Sequence, residues 1–235
     1  MRRDLPLQAS GAVAADYDAG LRGFMLGVYN HMMAGLGVTG IVAFMVAASP
    51  DMMAAIHGSP LKWAVMLAPL AGVLVLSFGI HRMSLSTART VFYGYAGAMG
   101  LSLSYIAAAY AGADLARAFF ITAGAFAGLS LYGYTTRRDL TAMGAFLVIG
   151  LVGLILASVV NLFVGSTALE FALSVISVLI FGGLTAWDTQ KLKESYAAGR
   201  GAEDSGKLAL MGALSLYLDF INLFISILRL TSSRD

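Results

Sequence analysis

The chain has 235 residues, of which 59% are hydrophobic and only 12% charged, against about 25% charged in an average soluble domain. With a mean hydropathy of +0.81 and a net charge of +2, it lacks the charged surface of a soluble enzyme, the polarity of a disordered chain and the basic face of a nucleic-acid binder. Cysteine is absent, which excludes disulfides, thiolate metal sites and a cysteine nucleophile. The composition is that of a polytopic membrane protein whose outer surface meets lipid.

Residues 1–25 are mixed in charge, with Arg2, Arg3, Asp4, Asp16, Asp18 and Arg22. They read as a polar N-terminal tail with an interfacial lead-in around Tyr17–Phe24. No apolar core and cleavage site promptly follow Arg2-Arg3, so the pair is not an export signal. Crossing about 30 Å of hydrocarbon takes roughly 20 apolar residues. Seven segments meet that length: 26–48, 61–80, 90–111, 115–134, 140–163, 168–188 and 208–229. They predict an all-α transmembrane domain over 26–230 and a C-terminal tail at 231–235. The connection 189–207 holds Lys191, Lys193, Glu194, Arg200, Glu203, Asp204 and Lys207 among three glycines. It is predicted as the longest loop, and a mobile one. Many of the 27 glycines lie inside apolar runs, where small residues let helices approach closely.

Basic residues orient such a chain. Seven crossings place Arg2, Arg3, Arg22, Arg82, Arg89, Arg137, Arg138, Lys191, Lys193, Arg200 and Lys207 on one side, and Lys62, Arg117, Arg229 and Arg234 on the other. The expected topology is therefore N-terminus cytoplasmic and C-terminus outside.

An ionisable group at hydrocarbon depth costs at least a few kcal/mol, so it carries a functional expectation. Asp219 lies about 18 Å into the last segment at 1.5 Å per residue. It belongs to a line of Ser215, Asp219, Asn222, Ser226 and Arg229, spaced 4, 3, 4 and 3, which is one face of a helix. The competing reading is an aspartate hydrogen-bonded only for packing. Asp188 ends the sixth segment, with Thr185, Ser177 and Ser174 on roughly the same side. Pairing with Lys191 or Lys193 at the interface is its structural alternative. A dip or break near the end of the sixth segment would bring the two carboxylates together. Such a pair resists double ionisation, shares a proton at moderate pH and attracts a hard cation when both members are charged. Arg82, at the end of the second segment, is a candidate latch for the pair, or else an ordinary basic anchor. His31, His57 and His81 are too scattered for a metal ligand set.

The run Met211-Gly212-Ala213-Leu214-Ser215-Leu216-Tyr217-Leu218-Asp219-Phe220-Ile221-Asn222-Leu223-Phe224 resembles the last-helix signature of the Bax inhibitor-1 family, including its bacterial YccA-type members. Asp188-Thr189-Gln190 resembles the family's other C-terminal signature, in the same order and at a fitting distance. The resemblance is distinctive over roughly 181–230 and consistent in span count from about 22 to 180. It implies a central last helix surrounded by the other six, and a pH-sensitive calcium leak. It further implies an aspartate sensor at Asp188 and Asp219 and an engaging arginine on the second helix. His81 and Arg82 are adjacent there; Arg82 is preferred because it is permanently charged. Asp188 and Asp219 would also be the weak calcium ligands, supported by Ser215, Asn222, Ser226 and Thr185. No other cofactor is implied. Two departures stand out: Trp187 replaces a common tyrosine, and residues 61–80 contain no acidic side chain.

The expected activity is a non-enzymatic cation leak in a bacterial inner membrane. One alternative is a regulatory protein that binds a membrane-bound AAA protease or modulates a stress or cell-death response without transport. Another is an intramembrane aspartyl protease. It would also use two aspartates on adjacent helices, but Leu216-Tyr217-Leu218 precedes Asp219 where Gly-x-Gly is expected, and no proline follows Pro69. The last segment has no interior lysine for retinal, and His-Glu-x-x-His, P-loop and Gly-x-Ser-x-Gly runs are missing.

Overall fold

The computed structural model describes residues 5–197 and 202–232, with side chains over 18–197 and 205–232. The described residues form eight α-helices: α1 (Leu5–Ala47), α2 (Pro50–His57), α3 (Leu61–Gly79), α4 (Leu85–Ala109), α5 (Gly112–Thr135), α6 (Thr141–Val164), α7 (Thr167–Ala197) and α8 (Ala202–Thr231). One 3-10 turn, Ile80–Arg82, follows α3.

The helix ends follow local chemistry. Ser49 caps α2 by accepting from the Met52 amide at 3.3 Å, with Pro50 in the first turn, where a missing N–H costs nothing. Ser84 caps α4 by accepting from the Thr87 amide at 3.2 Å. Gly165 ends α6 in the left-handed region at φ 65°, a conformation that glycine adopts without a Cβ clash. Asp139 accepts from the Thr141 amide at 2.8 Å in the turn before α6. Hydrogen bonds from the side chain and backbone of Thr141 hold its carboxyl below the ordinary carboxylate range.

Among the described residues, six helices are long and apolar enough to cross a membrane: α1 from Asp18, α3 with its 3-10 turn, α5, α6, α7 and α8 from Ser205. The expected third crossing, 90–111, lies on α4, which is not among the six. Its 25 residues include Arg89, Thr90, Tyr93, Tyr95, Ser102 and Ser104, which dilute its hydropathy.

Two expected boundaries also shift. α1 starts upstream of residue 26, and Leu21, Phe24 and Met25 are buried in the core. The predicted loop 189–207 is mostly helix: α7 continues to Ala197 and α8 begins at Ala202. Residues 198–201, with Gly199, Arg200 and Gly201, lie outside the described residues. The extension of α7 persists because Thr189, Gln190 and Leu192 are buried on one side of it. Lys191 and Lys193 lie against the rings of Trp187 and Tyr134 at 5.0 and 5.6 Å.

α8 is the central helix, with Leu210, Ala213, Leu216, Tyr217, Leu223 and Leu228 at 0–1% exposure. It packs against α1, α4, α5 and α7, whereas α3 lies mainly on α4 and α6 on α7. The expected ring of six around the last helix is thus an inner ring of four with two outer helices.

Candidate functional site

The site lies in the seam between α7 and α8. These antiparallel helices meet without the predicted dip or break, because α7 is continuous through Asp188. Close packing aligns them: Gly212 of α8 leaves room for Leu192. On the other side of α7, Gly133 of α5 sits directly on the Ala186 carbonyl.

Asp219 is 4% exposed, and its Oδ2 is buried with no hydrogen-bond partner. Asp188, half-buried across the seam, lies within electrostatic reach of it. Ser215, one turn before Asp219, donates its hydroxyl to the Asp188 carboxylate, and the Lys191 ammonium also acts on Asp188. Ser215 thus ties the Asp219-bearing face of α8 to Asp188 across the seam.

Of the remaining predicted residues, Asn222 Nδ2 donates to the Leu218 carbonyl at 2.8 Å. Ser226 bonds Ser177 across the seam at 2.7 Å. Thr185 is fully buried and donates to the Phe181 carbonyl at 2.8 Å. Arg82 is exposed on the 3-10 turn and is not brought to the pair. Ile80 is the buried residue of that turn, which leaves the following arginine at the surface. The latch expected for Arg82 is not formed in this conformation.

Toward the α8 C-terminus the seam widens into a cavity of about 690 Å³ between α6, α7 and α8. Its polar lining includes Ser158 and Asn161 of α6, Glu170, Ser174 and Ser177 of α7, and Asn222, Ser226 and Arg229 of α8. Phe181 and Asn222 are the lining residues nearest in sequence to the aspartates. The polar line predicted on α8 is therefore one wall of a cavity. Serines counted back from Asp188 supply the facing wall.

Other connections were not legible beforehand. Gln190 accepts from the Leu140 amide and donates to the Arg138 carbonyl, each at 2.8 Å, fastening α7 to the α5–α6 turn. Thr189 bonds Ser130 of α5 at 3.0 Å. The neighbours of Asp188 in the Asp-Thr-Gln run are therefore tethers. Trp187 faces α6, where a Cβ on Gly144 would collide with its ring. Its replacement of tyrosine thus bears on packing against α6. No group of three or more His, Cys, Asp or Glu able to hold a metal occurs among the described residues. Calcium takes six to eight oxygen ligands, and two carboxylates with one hydroxyl offer fewer.

Residues 21–235 match the family model described as "Inhibitor of apoptosis-promoting Bax1". The inner membrane protein YbhL of Escherichia coli is 42% identical over 219 residues, covering 92% of this chain and 94% of the relative. An uncharacterized protein of Rickettsia prowazekii is 46% identical over 218 residues, covering 93% and 92%. A Caulobacter vibrioides relative is 45% identical over 217 residues, covering 88% and 87%. On a match that takes in all of α3 to α8 and the aspartate-bearing seam, the chain belongs to the Bax inhibitor-1 family of membrane proteins.

Proposed function

We propose that the protein is a proton-regulated cation leak, with calcium as the transported ion and Asp188 and Asp219 as the sensor. The observation that carries this reading is Asp219 Oδ2, a carboxylate oxygen buried in the central helix without a partner. A buried polar atom left unpaired costs about 1–3 kcal/mol, more if charged, so this site favours a bound proton or a cation. Asp188 lies close enough to act on it electrostatically.

The reading extends to topology. α4 is about 37 Å long at 1.5 Å per residue and joins α3 to α5, both of membrane-crossing length. It serves as the seventh crossing, with Tyr95 and Ser104 buried in the bundle. Arg22, Arg82, Arg89, Arg137, Arg138, Lys191, Lys193 and Lys207 then share the cytoplasmic side. The relative named for the inner membrane supports the same compartment.

Under this reading the 690 Å³ cavity opens outward and ends at Phe181 and Asn222, one turn of α8 from Asp219. A cation entering it keeps part of its water shell, because the two carboxylates and Ser215 are too few ligands to replace it. That suits passage rather than storage. When a proton occupies the pair, the α7–α8 seam is neutral and closed around Ser215. When both carboxylates are ionised, repulsion loosens the seam and a cation is drawn to it. Lys191 is the cation positioned to moderate Asp188.

The test is calcium flux into proteoliposomes across pH, for wild type, Asp188→Asn and Asp219→Asn. The expected result is a pH-dependent wild-type flux whose dependence disappears in both variants. Unchanged flux and pH response in both would overturn the proposal.

A further inference from the structure

α1 packs chiefly on α4 and α8, and α5 on α7 and α8, while α1 and α5 barely touch. The space between them is a groove with α8 as its floor. Two cavities of about 310 and 650 Å³ lie along it, both lined by Leu36, Phe119 and Phe220. The lining runs along α1 from Arg22 to Phe44, or about 33 Å at 1.5 Å per residue. That is close to the thickness of a hydrocarbon core.

The walls are apolar, and the hydroxyls of Thr39, Tyr29 and Ser130 are engaged. Thr39 bonds Tyr217 at 2.6 Å, and Tyr29 bonds Ser130. Among the lining residues, charge is confined to one end. Arg22 lines that end, and the Lys193 ammonium donates to the carbonyl of Tyr134, another lining residue, at 3.0 Å. Asp18, one turn before Arg22, is the nearest acid on α1.

A long apolar slot with two cations at one end complements an amphiphile with an anionic head. An apolar helix from a second copy would leave the cationic end without a counter-charge, whereas an anionic head group supplies one. An acyl chain is narrow enough. Basic pockets between transmembrane helices on the cytoplasmic side are suited to anionic head groups. We propose that the α1–α5 groove binds an anionic phospholipid, with an acyl chain along Leu36, Phe119 and Phe220 and the phosphate held by Arg22 and Lys193. The proposal is independent of the cation reading, although its floor residue Phe220 adjoins Asp219.

The experiment uses the full chain reconstituted in nanodiscs of mixed phosphatidylglycerol and phosphatidylcholine. The lipid that stays bound after release into detergent is identified by native mass spectrometry. Wild type is expected to retain phosphatidylglycerol preferentially. Arg22→Gln should lower that preference about fivefold, as expected for one basic residue worth about 1 kcal/mol, while still retaining lipid. Ala127→Trp, which fills the groove, should abolish retention, and Phe146→Trp on the exposed face of α6 should leave it unchanged. Retention and preference unaffected by Arg22→Gln and Ala127→Trp would overturn the proposal. So would an altered oligomeric state in Ala127→Trp with lipid retention intact. Should Ala127→Trp fail to fold, Arg22→Gln decides alone, and an unchanged preference refutes the site.

Discussion

α8 and α6 are the instructive pair. Both are long enough to cross a membrane, yet in their most apolar stretches 61% of α8 residues are buried against 6% for α6. α6 is the more uniformly apolar, with Phe146, Ile149, Leu162 and Phe163 exposed at 72–87%. α8 carries Ser215, Asp219, Asn222 and Ser226, and it occupies the centre. In water this order would be reversed. In lipid an exposed leucine costs nothing, whereas a polar side chain needs a partner or a cavity inside the bundle. Apolarity therefore marks the outside of this molecule, and polarity at depth marks its packed centre.

The largest way to break that contrast is to push the interior apart. Gly133→Leu would drive a side chain into the Ala186 carbonyl two residues before Asp188. Overpacking typically costs 1–3 kcal/mol, and backbone contact leaves little room to relax. A marked fall in thermal stability with loss of ion flux is expected. Gly153→Leu on α6 meets nothing within 4 Å of its Cβ and should change neither. Similar losses at both positions would show that α6 is not a lipid-facing helix.

A smaller effect is expected at the tether. Gln190→Leu keeps approximate volume but strands the Leu140 amide and the Arg138 carbonyl at the α5–α6 turn. Leaving the buried Leu140 amide unpaired costs about 1–3 kcal/mol. Hydrogen exchange should show the loss at the Leu140 amide and the start of α6 first. Protection unchanged there would mean that α6 is held by apolar contact alone.

The same contrast explains what could be read from the sequence. Asp188 and Asp219 were legible because ionisable groups at hydrocarbon depth are few, and the i, i+4, i+7 spacing of Ser215, Asp219 and Asn222 is a helical face whatever the fold. The end of α7 was not. Lys191, Lys193 and Glu194 look like a loop beside apolar runs, but Thr189 and Gln190 bury themselves through bonds to residues about 50 to 60 positions away. Spacing within one helix carries no trace of such partners. The outward position of Arg82 was hidden for a related reason. A permanent charge next to an apolar segment fits a latch or an anchor equally well, and only the turn that buries Ile80 separates them. The α1–α5 groove depends on two helices failing to meet, which no local pattern records.

The smallest expected effect sharpens the comparison most, because it separates bonding from packing. Ser226 donates to Ser177 at 2.7 Å and has a second route to the Asn222 carbonyl, also at 2.7 Å. Replacing Ser177 with alanine therefore leaves Ser226 a local alternative, and that single cost should be small. Hydrogen bonds between membrane helices average about 0.6 kcal/mol in double-mutant cycles. A cycle of Ser177→Ala and Ser226→Ala, followed by unfolding in mixed micelles, should give a coupling near that value. Ser158 of α6 bonds only its own helix, at the Leu154 carbonyl. A matching cycle of Ser158→Ala with Ser226→Ala should show none, although both residues line the same cavity. Coupling confined to the Ser177–Ser226 pair would mean that α7 and α8 are joined by specific bonds while α6 rests on them by shape. Equal coupling in both cycles would instead make the cavity a single water-linked network, with α6 part of the polar centre.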